Sequence, residues 1–104
     1  MNDTASRHEQ REATRRQYLQ HADLLSGWEW VASKSLRTCM SCLFMDGMQF
    51  SLDTPFEDVQ KCTSEYCRCT LIAVIRGVER PPRQLGAEWF GAQSDDIKRL
   101  IAAN

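Results

Sequence analysis

Five cysteines, at positions 39, 42, 62, 67 and 69, are the residues of this 104-residue chain whose types and spacing could do chemistry. In Cys39-x-x-Cys42 the spacing lets a tight turn bring two thiolates to one metal ion, the half-site of structural zinc modules. Cys67-Arg68-Cys69 leads into the apolar run TLIAVI. A two-residue strand period puts both of its sulfurs on one face and Arg68 on the other. Neighbouring same-face positions of a strand sit about 6.6 Å apart with parallel side chains, near the limit that a disulfide tolerates, whereas two such thiolates can share an ion. The ligand set read from the sequence is Cys39, Cys42, Cys67 and Cys69, with Cys62 as the alternative ligand and zinc as the metal. A four-thiolate shell is closed and leaves no position for an activated water, so the chemistry expected is structural and the chain is read as not an enzyme.

Other chemistry fares poorly. His21-Ala22-Asp23 ahead of Cys39-x-x-Cys42 has the outline of a zinc deaminase signature, but an aspartate stands where that chemistry needs the longer glutamate, and Thr38 where it has proline. A cysteine nucleophile needs a base, and both histidines, His8 and His21, belong to the N-terminal segment, far in sequence from the thiols. Arg68, Arg76, Arg80 and Arg83 surround the apolar run and form the basis of a second reading, a zinc-ribbon-like nucleic-acid-binding module whose arginines touch phosphates.

The elements that must position these residues follow from pattern. Residues 1–26 read as an N-terminal helix, with Tyr18, Ala22 and Leu25 at helical spacing and Gly27 as its stop. Residues 27–76 read as a zinc-clamped β region. In it Trp28 and Trp30 alternate with Glu29 as in a half-buried strand, Asp46-Gly47 signals a hairpin turn, residues 53–66 form a loop around Pro55, and residues 70–75 supply the central strand. Residues 77–104 read as an extended connector followed by a C-terminal helix with Ser94 as N-cap, Asp95 and Asp96 in its first turn and Ile97, Leu100 and Ile101 on its apolar face. The fold class expected is α+β: one compact domain with a small zinc-stabilised antiparallel sheet flanked by an N-terminal and a C-terminal helix.

Net charge is -1, which gives no global attraction for nucleic acid or an anionic membrane. The N-terminus MNDTASRHEQREATRR lacks the apolar centre of a signal peptide, so a reducing cytosol is expected, where clustered cysteines hold metal more often than disulfides.

In order along the chain, GWEWVASKSLRTCMSCLFMDGMQFSLDTPF, YCRCTLIAVI and GAEWFGAQSDDIKRLI resemble the C-terminal cysteine-rich region of the phage Mu F-like minor head proteins, the phage head morphogenesis family. That pattern comprises a tryptophan-rich strand, Arg-Thr-Cys-x-x-Cys, an Asp-Gly turn, a proline-containing loop, His-Pro-x-Cys-Arg-Cys, an apolar strand, and a Trp-containing segment before a helix. The resemblance implies a minor capsid structural protein, working in the host cytoplasm during assembly and then inside the virion or encoded by a prophage. Its partners would be phage portal or capsid proteins and, in some relatives, packaged DNA, with no membrane and no small-molecule substrate. Cys39, Cys42, Cys67 and Cys69 match the family's cysteines. Ser64 and Glu65 stand where the family has histidine and proline, and Ser35 where an aspartate is common. Cys62, two positions before Ser64, is the residue that could take over the vacated ligand position.

Overall fold

The computed structural model describes residues 4–62, 68–79 and 82–103. The architecture is α+β, a three-stranded antiparallel sheet flanked by N-terminal and C-terminal helices. The first helix, α1, is Thr4–Leu19, and strands β1 (Leu25–Val31), β2 (Gln49–Phe50) and β3 (Thr70–Ile75) make the sheet in the order β2-β1-β3. Between β1 and β2 lies α2 (Met40–Met45), and α3 (Phe56–Val59) follows β2. Helices α4 (Gly86–Gly91) and α5 (Asp95–Ala102) end the chain.

The middle position falls to β1 rather than to the apolar β3, which corrects the expectation from residues 70–75. The reason is visible in what each strand buries. Trp28 and Trp30 are both 0% exposed, whereas Ile75 at the end of β3 is 51% exposed. Two indoles demand cover from both sides, and pairing Trp28 with Phe50 on one flank and Ala73 on the other supplies it. The core is an aromatic layer. Trp30 stacks on Phe56 at 5.0 Å between ring centroids with the planes 5° apart, and Trp28 meets Phe50 at 4.7 Å.

Gly27 lies inside β1, not at the end of a helix. Its α-carbon passes so close to β2 that a β-carbon there would meet the Phe50 carbonyl oxygen at 2.2 Å. A Gly27→Ala protein must push the two strands apart, and overpacking of this kind costs about 1–3 kcal/mol. Thermal unfolding of that variant is expected to show a lowered midpoint with the same cooperativity.

Helix α1 stops at Leu19, earlier than the 1–26 segment implied, and residues 20–24 turn through hydrogen bonds such as Gln20 N to Gln17 O (3.1 Å) and Leu25 N to His21 O (3.0 Å). Leu25 is buried in the sheet, so the three-residue apolar spacing that suggested a longer helix mixed residues of two elements. Tyr18 packs α1 against the core cluster, and polar contacts fix it there. Arg15 is buried and grips Glu12 with two hydrogen bonds (2.7 and 2.6 Å), while its third nitrogen donates to the Leu52 carbonyl at 2.6 Å. Glu12 in turn accepts from the Phe56 backbone N–H at 3.0 Å, and Arg11 donates to the Cys69 carbonyl.

The Arg15 hydrogen bonds, helped by the Phe56 N–H, hold the Glu12 carboxyl down at about pH 2, against a burial effect in the opposite direction. A depressed folded-state value stabilises the fold above the ordinary glutamate range, and that contribution disappears as pH falls through the folded value. Denaturation midpoints of the wild type should therefore decline between about pH 5 and pH 2, and the Glu12→Gln protein should start lower and decline less over the same window.

The Asp46-Gly47 turn does not join two strands. It ends α2, with Gly47 at φ 89°, and hands the chain to the two residues of β2. The 53–66 loop contains α3, whose buried Phe56 belongs to the core, and the connector in residues 77–104 contains α4. The terminal helix is capped as read, with the Ser94 hydroxyl accepting from Ile97 N at 3.4 Å, but of its expected apolar face Ile101 is fully buried, Ile97 half-buried and Leu100 exposed.

Candidate metal centre

The loop between β1 and α2 is organised by hydroxyls. Buried Thr38 donates to the Ser33 carbonyl at 2.8 Å and lies 2.9 and 3.1 Å from the Ser33 and Ser35 hydroxyls. This self-bonded loop delivers Cys39 to the start of α2, where its carbonyl accepts from Leu43 N at 3.2 Å. Cys42 then sits in the first turn of the helix. The two sulfurs of the Cys-x-x-Cys pair come to 3.2 Å, both residues buried.

Cys62 completes a group. The sulfurs of Cys39, Cys42 and Cys62 all lie within 4.8 Å of one another. Cys62 is half-buried, packs against the core cluster, and is held by its backbone N–H donating to the Gln60 side-chain oxygen at 3.0 Å. Two thiolates on a tetrahedral zinc with bonds of about 2.3 Å stand about 3.8 Å apart, so sulfurs at these separations fit the edges of a metal shell. The cluster could hold a metal ion, and its donors are all soft thiols, the set that thiophilic ions select.

Cys69 is placed differently. It precedes β3, and burial alternates from it: Arg68 and Thr70 are exposed, Cys69 and Leu71 buried. Cys69 thus faces the layer that contains Trp30, the partner of Leu71 across the sheet, and it is not in the three-sulfur group. Cys67 lies outside the described residues, as do Ser64, Glu65 and Arg80.

Of the arginines considered for nucleic acid, Arg68 is exposed and Arg76 donates to the Ala22 carbonyl at 3.2 Å. Arg83 is committed elsewhere, which corrects its place in that set. It binds Asp46 through two hydrogen bonds of 2.9 Å and reaches Glu29 at 3.0 Å. Asp46, with its side chain fully buried, also accepts from Ala32 N at 3.0 Å and Gly86 N at 2.8 Å, and Lys34 stands 3.5 Å away. Glu29 accepts from Gln49 at 3.1 Å. Burial pushes the Asp46 carboxyl up, but the Arg83 hydrogen bonds and the two backbone N–H groups outweigh it and hold the group below its ordinary value. The same contacts raise Arg83 further above its ordinary value.

The alternation of Trp28 and Trp30 with Glu29 does not announce this ionic network, in which Glu29 is itself buried. A charge between two buried tryptophans was the available signal, because such a group must find a partner. Its consequence for the metal centre is positional: Asp46 is the residue after α2, so Arg83 and the Gly86 N–H fix the far end of the helix whose near end carries Cys39 and Cys42.

No protein-family model matches the chain, and no curated protein and no solved structure matches it. None of the helices among the described residues is long and apolar enough to cross a membrane.

Proposed function

We propose that the protein is a zinc-clamped structural domain of the phage head-morphogenesis kind, a minor capsid-like component with no catalytic activity of its own. The observation that carries the reading is the cluster of thiols at the start of α2. Its donors are sulfurs, and zinc is the abundant ion that thiolates bind without redox chemistry. His8 supports a structural role: it stands 3.6 Å from Glu57 and lies against Phe56, in the contact between α1 and α3. The order of motifs that resembles the head-morphogenesis family also acquires physical sense. The Asp-Gly pair supplies both the buried carboxylate that anchors Arg83 and the positive φ that ends α2.

In this reading the zinc joins segments that the small aromatic core alone holds weakly, and the surface so fixed is what portal or capsid proteins bind. The test has two parts. Protein purified under reducing conditions is expected to carry about one zinc per chain, as a closed thiolate site requires. Co-expressed with the portal and capsid proteins of the same genome, it is expected to sediment with assembling heads, and to lose that association when Cys39 and Cys42 are both replaced by serine. Zinc-loaded protein that stays out of the head fraction would refute the assembly role and leave the clamp.

A further inference from the structure

We infer that the metal is held by Cys39, Cys42 and Cys62, tying α2 to the segment that leaves α3, and that Cys69 is a core residue outside the coordination shell. This rests on the metal-clamp reading and assigns its ligands. Three observations carry it.

The first is distance: the three sulfurs are mutually within 4.8 Å, and Cys69 is not among them. The second is the direction of the strand. Cys69 shares the buried face with Leu71 beneath the tryptophans, where a thiol behaves as a small apolar side chain. The third is how Cys62 is presented. The Gln60 side chain accepts from the Cys62 N–H at 3.0 Å and so closes a local turn that carries Cys62 back towards α2.

The assignment changes what the ion would do. With Cys69 as a ligand it would join α2 to β3. With Cys62 it joins α2 to the chain after α3, and both segments line one groove, Met40, Phe44 and Met45 from α2 and Val59 and Lys61 from the end of α3 and the chain after it. The metal then sets the width of that groove.

Cobalt(II) substitution under reducing conditions tests the assignment, because tetrahedral thiolate coordination gives ligand-field bands and sulfur-to-cobalt charge transfer that scales with the number of thiolates. Cys62→Ser is expected to lose one sulfur's worth of charge transfer. Its zinc affinity should fall by more than about 100-fold, since even removing groups that only orient ligands costs 10–100-fold. Cys69→Ala is expected to keep the wild-type spectrum and affinity and merely to melt lower. A second measurement needs no variant: in the zinc-loaded wild type, alkylation of Cys62 by iodoacetamide, read by peptide mass, should be suppressed and should become fast on adding chelator.

An unchanged spectrum in Cys62→Ser together with a reduced one in Cys69→Ala would overturn the assignment and leave the clamp standing. So would rapid alkylation of Cys62 with zinc in place. A wild-type protein that takes up neither zinc nor cobalt in stoichiometric amount would remove the clamp itself and the assignment with it.

Discussion

Stripping zinc with a chelator at neutral pH, under reducing conditions, is expected to unfold the protein. The magnitudes decide this. Structural zinc sites contribute about 10–16 kcal/mol of apparent binding energy, and whole domains are stable by only about 5–15 kcal/mol. Among the described residues the fully buried large side chains are few, chiefly Trp28, Trp30, Phe56, Leu43 and Ile101. Loss of a term that large from so small a core leaves no margin. Cooperative loss of the tryptophan near-ultraviolet circular dichroism should follow chelation, and stoichiometric zinc, but not magnesium, should restore it. Replacing Cys42 by serine should produce the same unfolded state without chelator, because Cys42 is fully buried and belongs both to the sulfur group and to the core cluster. An identical melting temperature with and without chelator would show that the aromatic layer and the ionic network suffice, and that the cysteines are packing residues.

What could be read from the sequence divides along the distance over which each feature is determined. The Ser94 cap, the Ile101 anchor and the strand at residues 70–75 depend on neighbours within a turn or a strand, and the structure has them where local pattern placed them. The end of α1 was not legible, because Ala22 and Leu25 continue the helical spacing by coincidence: Ala22 is exposed in a turn and Leu25 is buried in β1. Strand order was misjudged for a related reason. The most β-branched run is not the most buried one: Trp28 and Trp30 are both 0% exposed and take cover from a strand on each flank, whereas Ile75 is half exposed. At the metal centre, Cys39 and Cys42 are local partners, but whether Cys62 or Cys69 joins them depends on how α3 and β3 pack, and spacing does not encode that. Arg83 shows the limit most clearly, since its partners Asp46 and Glu29 are 37 and 54 residues away.

That network yields the second large effect. Asp46→Asn is nearly isosteric, yet it is expected to destabilise the protein by about 3–5 kcal/mol, the range for breaking a buried ion pair by altering one partner. Four donors converge on the carboxylate: two Arg83 nitrogens and the backbone N–H groups of Ala32 and Gly86. Each oxygen accepts one Arg83 nitrogen and one backbone N–H, so an amide, with one oxygen, turns its NH₂ towards one of each: one buried N–H loses its acceptor, and Arg83 keeps a charged partner only in Glu29. The loss should appear as a lower urea midpoint with an unchanged slope, and 1 M salt should do little to the wild type, because the Asp46 side chain is fully buried and screening reaches such a pair weakly. The pH dependence has a defined sign: the folded carboxyl lies below its ordinary value, so its contribution is complete above the usual aspartate range and is lost as pH falls through the folded value. Arg83→Met should be costly too, because it leaves Asp46 and Glu29 charged and buried without the cation they share. A loss below about 1 kcal/mol in Asp46→Asn, the range of exposed pairs, would mean that the network is solvated in solution and does not hold the end of α2. A loss near the upper figure, with zinc affinity reduced in the folded fraction, would tie the two centres together through the six residues of α2.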